Sequence, residues 1–220
     1  VDWPRLSDSV RATIGAETSQ LELADKMGYM AIQLRDGHTY LMAGDSLYTF
    51  DLVGDAGLNF DFETWGALYA GENVVTVGEA VSTQVIGDNI GYVFIQSFEG
   101  WEAADLETIL EPVKDTRGLI LDVRLNGGGD PNLAGLIARR LTETAYPCGT
   151  EFFKTGPGTN DFSQSAITVT PANAGITYLN KPVAILQARL SYSATTTLIY
   201  LTDPNPNVAT FGAHSGGGSG

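Results

Sequence analysis

Residues 118–130 read Gly-Leu-Ile-Leu-Asp-Val-Arg-Leu-Asn-Gly-Gly-Gly-Asp. The first seven, Gly118–Arg124, are nearly all apolar, which predicts a strand covered on both faces of its sheet. Gly127, Gly128 and Gly129 then lead into a helix predicted from about Pro131 to Thr142. A strand that runs through a glycine loop into a helix leaves backbone N–H groups free beside the helix N-terminus. That arrangement binds anions, either a phosphate or an oxyanion that develops during a reaction. The dinucleotide pattern GxGxxG and the Walker lysine are both absent. From these residues alone, a tight turn without a ligand is an equally good reading.

Working outward, the same alternation repeats on both sides. Ile90–Phe98 reads as a buried strand and Ala103–Lys114 as an amphipathic helix. Phe152–Lys154 and Ile167–Thr170 read as short strands. Pro182–Gln187 is another buried strand, a helix follows from about Ser193 to Leu201, and Val208–Phe211 closes the series. Strands alternating with helices indicate an α/β core over residues 89–220. Residues 1–42 read as an N-terminal helical subdomain, with Leu6, Val10 and Ile14 on one stripe and Leu21, Leu23, Met27, Met30 and Leu34 on another. Thr18 or Ser19 is placed to cap the second helix. Residues 43–88, where glycine and aromatics intermix, read as a small, irregular, partly β connecting region.

Composition narrows the partners. Of 220 residues, 43% are hydrophobic and 17% charged, as in ordinary globular proteins. Twenty-six acidic residues against twelve basic ones give a net charge of −14, a surface that repels phosphate backbones. Nucleic acid is therefore not expected as a partner. No apolar run is long enough to span a membrane, and Val1-Asp2-Trp3-Pro4 does not read as a signal peptide. The single cysteine, Cys148, has no disulfide partner in the chain and no neighbouring metal-ligand pattern. No metal is expected, and the sequence assigns no oligomeric state.

Two further stretches carry candidate chemistry. Ala188-Arg189-Leu190-Ser191-Tyr192-Ser193-Ala194-Thr195 again follows a buried strand and opens a helix. A serine at such a turn can expose its hydroxyl where the helix dipole favours developing negative charge. Serine is also among the commonest helix caps, so from these residues alone capping is the better reading for Ser191 or Ser193. Leu34-Arg35-Asp36-Gly37-His38-Thr39-Tyr40-Leu41 places His38, one of two histidines, where a helix gives way to a loop. A lone histidine is more often structural than catalytic, unless it meets a serine.

Together these stretches resemble peptidase family S41, the C-terminal processing or tail-specific peptidases. Leu34–Leu41 is similar to that family's LxDxHTxL stretch, Ile90–Phe98 to its IGYIxIxSF strand, and Gly118–Gly129 to its GLILDxRxNxGG segment. Pro182–Leu201 resembles its strand, serine-rich turn and helix, and Gly212–Gly220 its GxxTxGGGSG stretch. The likeness covers most of the chain and is weakest over 43–85, a stretch too short for the PDZ domain that many members insert there. It implies a ClpP/crotonase-like core, a polypeptide substrate and no cofactor. Aligning Ser191-Tyr192-Ser193-Ala194 with the family's S-A-S-A implies Ser193 as nucleophile, with Ser191 as the fallback. The implied oxyanion donors are the backbone N–H groups of Gly127, Gly128, Gly129 and Ala194.

The sequence also departs from the family pattern. Where the serine/lysine branch has its lysine stands Gly218, and no lysine follows Lys181, so that dyad is excluded within this chain. The resemblance then points to the tricorn-type branch, in which a histidine from the N-terminal part is the base, and His38 fits that role. Lys26, Lys114, Lys154 and Lys181 are read on solvated faces, where an ammonium stays protonated. His214, in the glycine-rich final segment, is the competitor. Gly37 stands where that branch has a serine, and family members continue beyond the glycine run, so the core is expected to be truncated at its C-terminus. The function expected is a serine endopeptidase acting through an acyl-enzyme. The alternatives are a non-catalytic binding protein on the same fold, as in retinoid-binding relatives, and an acyl-CoA enzyme of the crotonase type, against which the Ser-x-Ser-Ala turn speaks. The periplasm or cell surface is the favoured location, although a lone cysteine fits the cytoplasm equally well.

Overall fold

Gly28 and Tyr48 show how the N-terminal region is built. In a computed structural model, which describes residues 1–54, 57–68 and 73–219, the chain divides into two compact units, Val1–Asp55 and Ala56–Gly220. In the first unit, α1 (Trp3–Arg11) is capped by the Asp2 carboxylate, which accepts from the Arg5 N–H, and Pro4 sits in the first turn, where no N–H is needed. Helix α2 (Gln20–Gln33) opens on a capping box formed by Ser19 and Glu22. Strands β1 (Tyr40–Ala43) and β2 (Ser46–Thr49) form an antiparallel hairpin around Gly44, whose φ is +58°. Tyr48 lies directly on Gly28 of α2, where any Cβ would overlap its ring, and its hydroxyl donates to Asp25 at 2.5 Å. The hairpin is thus packed on the helices. The hairpin therefore belongs to the unit Val1–Asp55 together with α1 and α2.

The second unit begins with α3 (Phe62–Leu68), a helix not anticipated within the irregular region. Then follow β3 (Val75–Val77), β4 (Val81–Ile86), β5 (Ile90–Ile95), α4 (Leu106–Leu110), β6 (Gly118–Asp122) and α5 (Pro131–Arg140). The chain continues through β7 (Tyr146–Lys154), β8 (Phe162–Val169), β9 (Val183–Gln187), α6 (Ala194–Thr202) and β10 (Val208–Gly212). Six strands form one mixed sheet in the order β10-β9-β6-β5-β4-β3, with β10, β9, β6 and β5 parallel and β4 and β3 antiparallel. This is the expected α/β architecture. The predicted helix over 103–114 is one α-turn flanked by 3₁₀ turns, since Pro112 has no N–H with which to continue the ladder.

Alternate residues of the central strands point to opposite faces. Val93, Ile95, Leu119, Leu121, Val183 and Ile185 join Ile109, Ala134, Ile137 and Leu198 of the helices in one buried core. Each such Val, Leu or Ile side chain contributes about 1.5–3 kcal/mol by leaving water. Tyr92, Phe94 and Asp122 alternate with these positions and so point to the other face. Trp65 of α3 packs on Phe94 at 5.1 Å between ring centroids. Both faces of β5 and β6 are therefore covered near their C-terminal ends, which is why those strands read as almost continuous apolar runs. No helix among the described residues is long and apolar enough to cross a membrane.

Candidate active site

Two strand-to-helix turns leave the C-terminal ends of adjacent parallel strands, β6 and β9. That end of an open α/β sheet is where ligands bind. An apolar recess of about 570 Å3 lies at the opposite end, lined by Ile90, Gly118, Pro182 and Val208 where those strands and β10 begin.

The turn after β6 is the glycine loop. Gly128 and Gly129 have φ of +115° and +125°, a region open to glycine and rarely to other residues. Gly128 O accepts from the Phe98 N–H at 2.8 Å, and the Asp130 N–H donates to Phe98 O at 3.0 Å, which pins the loop to the segment after β5. Asp130 caps α5 by accepting from the Asn132 N–H. The Gly128 N–H donates to Asn126 Oδ1 at 2.8 Å. It is therefore engaged within the loop. Among the described residues, the N–H groups of Gly127, Gly129 and Ala194 donate to no protein acceptor.

The turn after β9 carries the serines, and the structure separates them. Ser191 is fully buried. Its Oγ donates to Val123 O at 2.8 Å and accepts from the Ala188 N–H at 3.0 Å, so it staples one turn to the other. Ser193 has φ 55° and ψ −123°, no side-chain cap bond to α6, and, among the described residues, no hydrogen bond at Oγ. The capping reading therefore does not hold for it. A side chain held at positive φ costs about 1–3 kcal/mol and persists only where the surroundings impose it, a condition concentrated at functional sites. The surroundings here are dense. The Tyr192 N–H donates to Asn126 O at 3.1 Å, Thr195 Oγ1 donates to the same carbonyl at 3.0 Å, and the Ser193 N–H donates to Gly217 O at 2.8 Å.

The two turns meet at Gly128. A Cβ on that residue would stand 2.7 Å from Ser193 Cβ, 3.0 Å from Tyr192 O and 3.2 Å from Ala194 N. The expectation that Ser193 opens a helix after β9 beside the glycine loop is met in geometry. The glycine-rich tail runs along the same turn: the Gly216 N–H donates to Ser191 O, and Ser219 Oγ donates to Ser193 O at 2.6 Å. Gly218, with φ +77°, lies against the Tyr192 ring, where a Cβ would overlap the ring unless it shifted.

Beneath the glycine loop, Asp122 is fully buried. It accepts two guanidinium hydrogen bonds from Arg124, at 2.9 and 2.6 Å, and one from the Tyr92 hydroxyl at 2.5 Å. The hydrogen bonds to Asp122 raise the Arg124 pKa further above its ordinary value. Its guanidinium also stacks over Phe60, 4.5 Å from the ring centroid.

His38 lies in the first unit, exposed, in a turn between α2 and β1. Asp36 organises that turn: its carboxylate accepts from the His38 N–H at 3.1 Å and from Thr39 Oγ1 at 2.7 Å, and stands 3.7 Å from His38 Nδ1. His214 is exposed, in the segment that joins β10 to the glycine tail. Two residues with evident roles were given none from sequence. Asn126 ties both turns together through its backbone and side chain, and an Asn directly before three glycines is a local signal for such a side-chain-stabilised turn. Asp36 was readable in the same way, as an acidic residue two positions before the histidine.

An α/β sheet whose strand-to-helix turn strains a serine beside a glycine loop is an arrangement that serine hydrolases use. The family model of peptidase family S41 matches residues 89–220, more than half of the chain. A crystal structure of a candidate peptidase from Parabacteroides merdae ATCC 43184 is 32% identical, covers 100% of this chain and 70% of its own, and superposes with a TM-score of 0.87. A lipoprotein from Streptococcus agalactiae shares the fold at 14% identity and a TM-score of 0.51, covering 97% of this chain and 68% of its own. No curated protein matches the chain. The chain belongs to peptidase family S41 and is a serine peptidase, for which polypeptides are the substrate class.

Proposed function

We propose that the protein is an endopeptidase acting through an acyl-enzyme, with Ser193 as nucleophile and His38 as its base. The observation that carries the reading is Ser193 itself, strained at φ 55° and with an uncommitted hydroxyl against Gly128. A serine hydroxyl needs a base to attack a carbonyl at neutral pH, and an imidazole both takes the proton and returns it to the leaving amine. The His38 motif supports that role, as does Asp36, whose carboxylate stands 3.7 Å from Nδ1 and accepts from the His38 N–H. The oxyanion of the tetrahedral intermediate is received by the backbone N–H groups of Ala194 and of Gly127 or Gly129. Losing one such donor costs about 3 kcal/mol of transition-state stabilisation. Gly218, standing where the serine/lysine branch has its lysine, supports a histidine as the base. We place the enzyme in the periplasm or at the cell surface; a parent gene lacking an export signal contradicts that.

Fluorophosphonate labelling and peptide hydrolysis test the reading. Wild type should label, Ser193→Ala should not, and Ser193→Ala should lose about 10^5-fold or more in kcat. His38→Ala should lose about 10^2–10^4-fold, the usual contribution of a general base, while His214→Ala stays within a few-fold of wild type. Labelled Ser193→Ala removes the nucleophile. An inactive His214→Ala beside an active His38→Ala transfers the base to His214.

A further inference from the structure

The ribbon of β7 and β8 stands outside the six-stranded sheet. Between it and α6 lies a recess of about 540 Å3, bounded by Glu151 and Ile167 of the ribbon, Thr197, Tyr200 and Leu201 of the helix, and Ser219 of the tail. We propose that this recess is a specificity pocket for a basic side chain of the polypeptide substrate, lysine or arginine, next to the scissile bond. The proposal rests on Ser193 being the nucleophile.

Three observations carry it. The first is position. Ser219 Oγ donates to Ser193 O at 2.6 Å and pairs with Thr197 Oγ1 at 3.0 Å, so the inner wall of the recess hydrogen-bonds to the nucleophilic residue itself. The second is rigidity. Tyr200 packs onto Gly149, where any Cβ would overlap its hydroxyl, and the Cys148 thiol and Tyr146 hydroxyl both reach Leu201 O. Helix and ribbon are thereby held at a set spacing with an opening between them, large enough for one long side chain.

The third is chemistry. Ile167, Leu201 and the Tyr200 ring give apolar walls suited to a methylene stem. Glu151 lies two residues from Gly149 and so faces α6 with it. It is the one charged side chain lining the recess, and among the described residues it has no cationic partner. An aliphatic stem ending in a cation matches that combination: the stem lies along the walls and the head meets the carboxylate. The net charge of −14 steers the same substrates toward the molecule.

The test uses the full chain with peptides that differ at a single residue near the cleaved bond, carrying Lys, Arg, Leu or Glu. Kcat/KM is measured for wild type, Glu151→Gln and Glu151→Lys, and fluorophosphonate labelling is followed in each and in Ser193→Ala. Wild type should favour Lys and Arg by about tenfold or more, the usual worth of a hydrogen bond to a charged group. Glu151→Gln should abolish that preference, while labelling and Leu-peptide cleavage hold. Glu151→Lys should turn the preference toward Glu. An unchanged profile in both variants with labelling intact overturns the pocket alone. Equal labelling of wild type and Ser193→Ala overturns the nucleophile and the pocket together.

Discussion

The two turns at the C-terminal ends of β6 and β9 handle backbone strain in opposite ways. After β6, positive φ falls on Gly128 and Gly129, which adopt it at little cost. After β9, it falls on Ser193, whose Cβ makes the same kind of conformation unfavourable. One turn supplies room and the other holds a side chain where it does not relax. Ser191 sharpens the contrast within a single turn, because its hydroxyl is bonded on both sides and fully buried. The proposed nucleophile is therefore the residue the scaffold strains and leaves unbonded, while its neighbour two positions earlier is bonded into both turns.

Gly128→Ala breaks the comparison most severely. The new methyl group would stand 2.7 Å from Ser193 Cβ on a residue whose φ of +115° already disfavours it. Either the loop or the serine turn must shift, and a displacement of about 1 Å at a reacting group costs about 10^2-fold. We expect labelling at Ser193 to slow at least that much, and the melting temperature to fall. Wild-type labelling in Gly128→Ala would show that the turns do not work as a pair.

Ser191→Ala should do the reverse, lowering stability more than chemistry. It leaves the Ala188 N–H buried without this partner, worth about 1–3 kcal/mol, while the Val123 carbonyl keeps the Asn126 N–H. For a chain of this size, about 1 kcal/mol corresponds to 2–4 °C in melting temperature. The labelling rate of the folded protein at 25 °C should stay within about tenfold of wild type, the effect of a slightly loosened turn. A loss as complete as that of Ser193→Ala would make Ser191 the nucleophile.

The core of the fold was legible where burial is two-sided. The apolar runs at 90–95 and 118–122 are strands because helices cover one face and the aromatic cluster lies on the other. The run at 183–187 joins the same core through Val183 and Ile185, and the punctuation by glycine or serine marks where the helices after β6 and β9 begin. The β7–β8 ribbon was not legible as a hairpin. Its residues are exposed on nearly every position of β8, so no period-two signal exists, and only its ends read as short strands. Helix α3 was hidden for a related reason: Phe60, Phe62 and Trp65 are spaced to meet each other and Phe94, contacts that no local pattern announces. At the candidate site, sequence brought Ser191 and Ser193 forward as equals at a helix start. What separates them is a backbone angle and two hydrogen bonds, one of them to Val123 on a different strand end.

The smallest expected effect is the most direct measure of that separation. Ser193→Ala and Ser193→Gly both delete the hydroxyl, and since Oγ makes no cap bond, neither loses a hydrogen bond with it. Alanine keeps the Cβ and with it the strain at φ 55°; glycine removes both. Relief of about 1–3 kcal/mol of strain, set against the 0.5–1 kcal/mol by which glycine's unfolded freedom opposes folding, leaves Ser193→Gly more stable than Ser193→Ala by about 0.5–2 kcal/mol. Denaturant titration of the two inactive variants, read as a difference in midpoint at constant slope, measures it. Equal midpoints would mean that the turn holds Ser193 without strain, and the argument from backbone to nucleophile would lose its footing. A more stable Ser193→Gly would show a protein that gives up stability at the one position where its hydroxyl must stay free.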